Sequence, residues 1–538
     1  MKKRLVAALL TAAMTASLLA GCGSSSGGSS SAKSESGSES AGEETSVDSS
    51  LPEDLQNLDM SEHVTLTFAT EWITDNTDRE MVVEKINEYI ADKLNCEIEI
   101  NVLDFRGNYT VSLESGEPID LIWTATWYNV FNFAQQGAFL DVKPLVEEEF
   151  PNLLTTYYDQ ETWDSCAVGD AYYIIPGHNT ESWTNCAQWG VVYREDLRKE
   201  LGCDEITDWA SMEAYAAAVK EAYPEMYPWH ENSSGGLWHS MLEKEHIYTE
   251  FGGYTNTLAL DLDTLEVVDY CDLDSVKEYA ETERRWVENG YCQPDIASNT
   301  DDAVECFLQE KYAGSMEVLL SSYLSTYLPR VQAEHPDWEV NYINWGTMFG
   351  TTYMNAASMT SAAIPVNSAN PERTLAFIEL MLTDDYLFDL VAYGIEGTHY
   401  EVTEDGYYNS LQGSNITYAY GNTTASIFTN YDAVIPKESD ALGMAYMEEN
   451  ITPTLVNNFW TSFPFSTEEY DDYASACSAV YDQYWRGVLN GVYEDTDAAL
   501  AECQAKLKEA GGDYVRESLT AQWQAYVEEK GLKGLAEQ

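Results

Sequence analysis

Alternating and helical runs of apolar residues predict a strand followed by a helix where the folded part of the chain begins. Val64–Thr70 alternates between apolar and polar positions, as a half-buried strand does. Apolar residues then recur every four positions, which is typical of one helix face, at Val82, Ile86 and Ile90. Thr77-x-x-Glu80 has the form of a capping box, so we expect it to begin this helix.

Two more strands are predicted to follow. Glu97–Leu103 alternates again, and Ile119–Trp123 is a short apolar run of the kind found in buried parallel strands. Strands separated by helices at this spacing predict right-handed βαβ units and a parallel sheet. Because such sheets bind ligands beyond the carboxyl ends of their strands, the expected binding edge lies at Glu71–Trp72 and Thr124–Trp127.

The rest of the chain repeats this alternation of elements and then becomes helical. The predicted elements are a strand at Val191–Tyr193, helices at Ser211–Ala222 and Ser275–Asn289, a hairpin at Asp261–Val268, a helix beginning at Asn370-Pro371-Glu372, and a largely helical stretch from Glu468 onward. The acidic hairpin lacks the EF-hand pattern, since Leu265 and Glu266 occupy the positions of an acid and a glycine. We therefore expect no calcium site there.

The N-terminal segment has the features of an export signal. A basic stretch precedes the apolar run Leu5–Leu19, which is short enough to be cleaved; a transmembrane helix is the alternative. Leu19-Ala20-Gly21-Cys22 resembles the lipobox of bacterial lipoproteins, which implies removal of residues 1–21 and a diacylglycerol on the Cys22 thiol. The Ser-, Gly- and Glu-rich sequence that follows is too poor in apolar residues to fold, so residues 22–62 are predicted to be a flexible tether.

Composition narrows the possible partners. A formal charge of −65 over 538 residues argues against nucleic acid or an anionic membrane surface, because both are polyanions. The body from His63 to Gln538 is long enough for at least two domains. The cysteines that follow Cys22 show no CxxC pair and no zinc-ribbon spacing, so we expect most of them to be buried side chains. No cofactor or metal is expected.

Several segments together resemble the extracellular solute-binding proteins (family 1-like) of ABC importers. The segments that carry this resemblance are LESGEPIDLIWTATW with FAQQGAFLDVKPL, VGDAYYIIPG, VVYREDLRKELG, NWGTMFG, NPERTLAFIELM, YGIEGTHYE and FPFSTEEY. The last four are similar to a LipO-like lipoprotein subgroup of that family. Each segment is short, but their order along the chain is specific.

The resemblance implies an α/β, two-lobed periplasmic-binding-protein-like fold with an interlobe hinge and C-terminal helices. On this template the first lobe comprises residues 63–188 and 346–390, and the second comprises residues 189–345 and 391–538. The ligand is expected in the cleft between the lobes. The implied partners are a small-molecule ligand, the permease subunits of an ABC transporter, and the cell membrane, reached through the lipid anchor at its extracytoplasmic face.

Aromatic residues near the predicted strand ends and crossovers are the expected ligand contacts, because flat aromatic faces stack on the apolar faces of sugar rings. The chain has 15 Trp and 37 Tyr residues to draw on. The expected ligand-binding residues are Glu71, Trp72, Asp75, Trp123, Trp127, His178, Trp183, Trp345 and Glu396. For each tryptophan, burial in the core is the alternative.

The resulting functional hypothesis is a lipid-anchored receptor that captures a carbohydrate or oligosaccharide and delivers it to an importer. The alternatives are a peptide or another polar nutrient as ligand and, outside this class, a surface glycan-hydrolysing lipoprotein. No GxSxG, HExxH or P-loop supports an enzyme. A metal-capturing protein is a further alternative because of His230, His239 and His246, although their spacing is not a ligand motif.

Overall fold

The computed structural model describes the chain from Leu51 to Glu537 with internal gaps. The residues outside the description are 1–50, 71–75, 103–108, 110, 114–115, 117, 129, 178–188, 232–235, 250–256, 295, 300, 355, 413–417, 419–426, 457–459, 461–462, 467–469 and 538. The predicted export signal and Cys22 therefore lie outside the described residues.

The described strands and helices alternate through most of the chain. The strands, numbered along the chain, are β1 (Val64–Thr70), β2 (Cys96–Val102), β3 (Leu121–Ala125), β4 (Trp189–Arg194), β5 (Ile247–Tyr248), β6 (Leu258–Asp261), β7 (Glu266–Asp269), β8 (Gly314–Leu319), β9 (Val340–Asn344), β10 (Thr352–Tyr353), β11 (Thr360–Ala363), β12 (Tyr400–Val402), β13 (Tyr408–Ser410) and β14 (Leu455–Val456). The longer α-helices are Arg79–Leu94, Trp209–Ala222, Trp238–Glu245, Asp274–Glu288, Pro371–Thr383, Asp385–Tyr393, Glu438–Tyr446, Asp471–Val480, Thr496–Glu509 and Gly512–Lys530.

Shorter helical segments connect these elements. The short α-helices are Glu53–Gln56, Val130–Gln135, Lys143–Glu148, Gln160–Ser165, Glu195–Glu200, Ala303–Leu308, Leu320–Ser322, Leu328–Glu334, Trp345–Phe349 and Arg486–Leu489. Turns of π-helix occur at Leu153–Tyr157, Tyr323–Tyr327, Met447–Ile451 and Tyr481–Trp485. Turns of π-helix are rare in proteins, and those that occur often lie at functional sites.

The largest sheet has the strand order β11–β3–β1–β2. β1 pairs in parallel with both β2 and β3, whereas β11 pairs antiparallel with β3. Every residue of β3 is buried, as its continuous apolar run predicts. The helix between β1 and β2 buries Val82, Ile86 and Ile90 completely. The predicted parallel sheet with its crossover helix is therefore confirmed.

A second sheet has the order β8–β4–β9, with β4 antiparallel to both neighbours. The predicted hairpin is also present, since β6 and β7 pair antiparallel with Asp261 opposite Glu266. The predicted C-terminal helices are confirmed. Their Trp485 and Trp523 are fully buried in the same apolar cluster as Val191 of β4.

The apolar side chains form a first core and a second core. The first core takes its residues from 51–175 and 357–428. The second consists of two clusters from 191–345 and 451–523. The chain therefore passes between the cores three times, after Ile175, Trp345 and Phe428. Val391, Tyr418 and Phe428 pack in the first core, whereas the sequence-based template places everything after residue 390 in the second lobe.

Two local predictions at the start of the chain are wrong. The helix begins at Arg79 with Asp78 as its N-cap and has no side-chain cap hydrogen bond, so Thr77 does not form a capping box.

The predicted tether is also too long. Leu55 is 1% exposed in the first core, and the Asp54 carboxylate accepts a hydrogen bond from the Asn152 N–H at 2.9 Å. Apolar leucines thus anchor residues 51–62 to the folded body.

The described cysteines carry free thiols, and most of them are buried, as expected. Burial raises the pKa of Cys96 and Cys166 to about 12, so both stay protonated at neutral pH.

Within the described ranges, no helix combines the length and apolar character needed to cross a membrane.

Replacement of one buried acid should change how stability depends on pH. Glu379 is fully buried in the first core, where its carboxylate accepts a hydrogen bond from Asn152 Nδ2 at 3.1 Å. Burial raises its pKa from 4.5 to about 7. Because the folded-state pKa is above the unfolded one, this group's contribution is intact below about pH 4.5 and is lost as the pH rises through 7. At pH 8, Glu379→Gln should therefore have a free energy of unfolding up to about 3 kcal/mol higher than that of the wild type, measured by urea unfolding. At pH 4.5 it should show no such gain.

The matched control is Glu84→Gln, an exposed acid on the helix Arg79–Leu94. Surface substitutions usually change the free energy of unfolding by about 0.5 kcal/mol or less. Equal stability of wild type and Glu379→Gln at pH 8 would contradict the predicted cost of ionising this carboxyl in the core.

Candidate functional site

The carboxyl ends of β1 and β3 lie side by side in the first sheet. From β1 the chain continues to β2 on one side and later to β3 on the other, so this edge is a topological switch point. Ligands of open α/β sheets bind at such points. Thr70 ends β1, Ala125 ends β3, and Thr360 at the start of β11 pairs with Ala125.

Aromatic side chains surround the end of β3. The Tyr109 hydroxyl donates a hydrogen bond to Thr124 Oγ1 at 2.8 Å, and the Tyr109 ring stacks on Tyr128 with centroids 5.6 Å apart. Trp123 meets Tyr128 edge to face at 5.9 Å. Burial raises the pKa of Tyr109, so its hydroxyl remains a donor. Tyr128 is half-buried, so part of its ring is accessible at this edge.

The structure moves Trp123 from the expected binding face into the core. Its side chain is 4% exposed, because β3 is covered on both faces. The cavity that it lines with Phe68 and Ile427 measures about 10 Å³, which is space for at most one water. Trp127 lies in the turn Thr126–Tyr128 that directly follows β3, which places its backbone at the expected edge.

Five other predicted contacts at this edge and at the first crossing cannot be compared with the structure. Glu71, Trp72, Asp75, His178 and Trp183 all lie outside the described residues, as do the loops that carry them. Their ligand-binding roles stay predictions.

Strain is concentrated at the corresponding edge of the second sheet. Gly190 of β4 pairs with Val318 and the next residue pairs with Met316, so Glu317 bulges out of the ladder. Its φ of 55° is in the left-handed region, which is uncommon for a residue other than glycine. Bulges often re-aim a side chain next to a functional site.

The bulge directs Glu317 beneath a stacked pair of rings. His239 Nδ1 lies 2.7 Å from Glu317 Oε2, and the imidazole stacks on Trp189 at 5.0 Å with an interplanar angle of 14°. Asn344 Nδ2 donates to the Trp189 carbonyl at 3.1 Å, which fixes the start of β4. The Glu317 side chain is 1% exposed and that of His239 is 35% exposed. We call Trp189, His239 and Glu317 the Trp189 platform.

Buried carboxyl groups lie behind this platform. The Glu231 and Glu283 carboxyls share a hydrogen bond, and Glu283 also accepts from the Leu237 N–H at 2.9 Å. Burial raises the pKa of both, and it raises the pKa of Glu243 as well. Burial thus favours the protonated form of each acid, and a protonated carboxyl can donate to its neighbour.

Trp345 is not arranged as the sequence analysis expected, whereas the ligand-binding role of Glu396 stays a prediction. Asn344 Oδ1 accepts from the Thr347 N–H at 3.0 Å and caps the short helix, which turns Trp345 into the second core with no exposed surface. Its role as a ligand contact is therefore not supported by this structure. Glu396 is exposed on a turn after the helix Asp385–Tyr393.

The three histidines considered as metal ligands occupy three different environments. His230 is buried, which lowers its pKa to about 4. His239 belongs to the Trp189 platform. His246 ends a helix and binds Asp263 through Nδ1 at 3.0 Å and Thr351 through Nε2 at 2.9 Å. Within the described part of the chain, no group of three or more His, Cys, Asp or Glu side chains is placed to hold a metal ion.

One contact joins the first two crossing segments, and another joins the two cores. The Gly177 N–H at the first crossing donates to the Ala357 carbonyl at the second crossing, at 3.0 Å. Gln135, on the helix after β3, donates through Nε2 to the Pro464 carbonyl at 2.6 Å, next to the buried Phe463 of the second core. The helix that follows β3 therefore contacts the C-terminal segment of the second core.

Comparison with known proteins identifies the family. The model of the bacterial extracellular solute-binding proteins matches residues 80–387, which is more than half of the chain. The chain belongs to this family. A domain of unknown function, DUF3502, matches residues 460–528. The predicted family membership is confirmed, and the function of the family is the extracellular binding of a solute.

Known relatives support the same fold over most of the chain. A carbohydrate ABC transporter substrate-binding protein of Streptococcus pneumoniae serotype 4 is 23% identical over 484 residues, which cover 85% of this chain and 89% of the relative. The crystal structure of the N-glycan transport solute-binding protein NgtS of Streptococcus pneumoniae matches with a TM-score of 0.68 and 19% identity, over 87% of this chain and all of that one. An HMO-binding solute-binding protein of Bifidobacterium longum infantis matches with a TM-score of 0.63 and 13% identity, over 86% and 99%. The predicted α/β, two-lobed fold is confirmed.

Sequence reasoning missed Trp189 and Glu317 as site residues. Trp189 precedes the strand predicted at Val191–Tyr193 and lies at the predicted crossover. An aromatic residue in that position could have been included among the expected ligand contacts. Glu317 carried none, because nothing in the sequence marks a glutamate for a left-handed bulge. His239 was noticed only as a possible metal ligand.

The contact between Glu317 and His239 should be measurable as a coupling energy. A hydrogen bond that a nearly buried carboxylate accepts contributes about 1.5–3 kcal/mol. In a double-mutant cycle of Glu317→Ala and His239→Ala, monitored by urea unfolding, we expect coupling of at least about 0.5 kcal/mol. The control cycle is His246→Ala with Asp263→Ala, a more exposed pair that should couple more weakly. Additive single effects at Glu317 and His239 would contradict the geometry of the platform.

Proposed function

We propose that the protein is a lipid-anchored receptor that binds a neutral oligosaccharide between its two lobes and delivers it to an ABC transporter permease. The family membership supports solute binding, and the Trp189 platform supports this ligand class. The lobes that we propose follow the two cores, with Phe428 rather than residue 390 ending the first lobe. The protein is proposed to act without catalysis.

The observation that carries the proposal is a fixed, partly exposed aromatic stack at a sheet edge where solute binding is expected. A flat indole face packs against the apolar face of a pyranose ring, and an adjacent imidazole and carboxylate supply partners for hydroxyl groups. Trp189 is held by its strand, by Asn344 and by His239, so little side-chain entropy remains to be lost on binding. A site prepared in this way favours a ring-shaped, polar ligand.

The names of the relatives support carbohydrate over other solutes. The pneumococcal relative is named for carbohydrate, and NgtS has been crystallised with Man1GlcNAc and with Man5GlcNAc. The strongly negative net charge also disfavours an anionic ligand. A peptide remains the alternative ligand, and a glycan hydrolase is the alternative activity.

Replacement of Trp189 tests the proposed binding surface. We expect isothermal titration calorimetry to detect binding of a neutral oligosaccharide from a panel that includes Man5GlcNAc, and not of tri- to pentapeptides. Trp189→Ala should weaken that binding about threefold to tenfold, because an aromatic contact contributes about 0.5–1.5 kcal/mol beyond its buried area. Chromatography of the glycan after long incubation should recover it intact.

Trp338→Ala provides a matched control for this variant. Trp338 also stacks on a histidine, His335, with centroids 3.7 Å apart, but it precedes β9 and so lies at the opposite end of the second sheet. Its replacement should leave the affinity unchanged. Equal losses in both variants would show that Trp189 acts through stability, and shortened glycans would establish a hydrolase instead.

A separate experiment tests the proposed lipid anchor. The residues Leu19-Ala20-Gly21-Cys22 resemble a lipobox, in which the cysteine thiol is the atom that receives the lipid. Cys22→Ser should therefore leave the membrane fraction or accumulate with its signal uncleaved. Fractionation and intact-protein mass spectrometry compare it with Ser24→Ala, which keeps the thiol. Identical mass shifts and fractionation for Cys22→Ser and wild type would refute the anchor.

A further inference from the structure

Two cysteines that are far apart in the sequence lie together where the C-terminal helices pack on the rest of the second core. Cys271 is in the 3₁₀ turn Tyr270–Asp272, which directly follows β7, and Cys503 is in the helix Thr496–Glu509. Both side chains are buried in the second core, and both carry free thiols in this structure. The second cysteine lies within the region that matches the domain of unknown function.

The local structure holds each cysteine in place. The Cys271 N–H donates to Asp269 Oδ1 at 3.0 Å, and this hydrogen bond caps the 3₁₀ turn. Cys503 lies on the buried face of its helix, between Leu500 and Leu507. Spacings of three and four residues place these three side chains on one helix face, which packs into the core. Neither thiol is therefore free to turn toward solvent.

Polar contacts bring the two elements together at the cysteines. Gln504 Nε2 donates to Asp272 Oδ1 at 2.5 Å, and these two residues directly follow the two cysteines in the chain. Arg516 Nη1, from the last long helix, lies 3.5 Å from Asp272 Oδ2. Hydrogen bonding to the Cys503 thiol is the main cause that raises the pKa of Cys271, and burial adds to it. The two thiols are therefore neighbours as well as the backbones that carry them.

The other two described cysteines of the second core have different neighbours. The Cys292 thiol is hydrogen-bonded to the Glu231 carboxyl group, behind the Trp189 platform. Cys477 Sγ lies 4.0 Å from the Ala510 carbonyl oxygen, at the end of a helix. Among the described cysteines of this core, the pair at the C-terminal helices is thus the one whose thiols interact with each other.

We propose that Cys271 and Cys503 form a disulfide bond in the exported protein. Each thiol loses its proton, one sulfur–sulfur bond forms, and two electrons pass to an external disulfide, which is cleaved into two thiols by exchange through a mixed disulfide. Such bonds form and persist outside the cytoplasm, where the surroundings are oxidising. The proposal rests on the proposed function for this location.

The burial of both thiols determines when the bond forms. An external disulfide has to reach one of the sulfur atoms, and in the folded protein the C-terminal helices cover them. Oxidation therefore takes place during folding, before these helices are fully packed. Once formed, the bond joins the region of unknown function to the turn after β7. It closes a long loop of the unfolded chain, which favours the folded state.

Mapping of the thiols in the full-length protein tests this bond directly. The protein is isolated from the membrane fraction without reductant and unfolded in urea with N-ethylmaleimide, and it is then reduced and treated with iodoacetamide. Peptide mass spectrometry should find iodoacetamide on Cys271 and Cys503 and N-ethylmaleimide on Cys477. Without reduction, the peptides that contain the pair should appear joined, with a mass lower by two hydrogen atoms. N-ethylmaleimide on both members of the pair would overturn the proposal, and so would a bond from either of them to another cysteine.

Thermal unfolding tests what the bond does, with Cys477→Ala as the matched control from the same core. Dithiothreitol should lower the melting temperature of the wild type and of Cys477→Ala by about 3 °C or more, because it opens the loop. It should leave the melting temperature of Cys271→Ala unchanged. An equal effect of dithiothreitol on Cys271→Ala and on the wild type would overturn the proposal. If Cys271→Ala does not fold, the thiol map of the wild type decides alone.

The outcomes separate this proposal from the proposed function. Free thiols at both positions, together with Trp189-dependent binding of Man5GlcNAc, would overturn the disulfide alone. A Cys271–Cys503 bond in a protein that binds no glycan would overturn the proposed ligand and support the disulfide. A wild-type protein that stays in the cytoplasm would overturn both, since the oxidising location would be lost together with the receptor role.

Discussion

The close approach of Gly177 to Ala357 and Thr360 is the constraint that sets where the chain leaves the first core. Its N–H donates to the Ala357 carbonyl, and a Cβ at this position would collide with the Thr360 carbonyl oxygen. Only glycine allows the first crossing to lie against the second in this way. This contact therefore fixes where the first crossing leaves the first core, next to the start of β11.

The two edges differ in how they are built. The first is an ordinary switch point of a parallel sheet, whose strands end in small or buried residues. The second has a bulged glutamate with positive φ and several buried acids whose pKa burial raises. Unfavourable backbone geometry and buried polar groups persist only where the surrounding structure over-determines them, and they cluster at ligand sites. This difference between the two edges favours the second sheet as the one that supplies the more specific ligand contacts.

The sequence predicted those features that depend on local periodicity. The buried run at Ile119–Trp123, the face of Val82 and Ile86, and the proline at Pro371 each correspond to elements in the structure, because a strand or helix face is recorded in residue spacing. Which individual tryptophans are buried could not be predicted from the sequence. Trp123 stands at a predicted strand end and Trp345 just before a predicted return between the lobes, yet packing buries both side chains. Spacing along the chain does not report which distant segment will cover a side chain, and the same limit hid Glu317 and the contact between Cys271 and Cys503.

The C-terminal region of unknown function is part of the second lobe's core rather than an attachment to it. Trp485 and Trp523 are fully buried among residues of the second core, so removal of this region would expose that core. Gln522 makes reciprocal hydrogen bonds with the backbone of Ser466, at 2.7 and 2.9 Å, and thereby fixes the segment that carries Pro464. Pro464 in turn accepts the hydrogen bond from Gln135 of the first lobe. The C-terminal helices therefore determine where one contact between the lobes is made, which gives this region a direct structural connection to the geometry of the cleft.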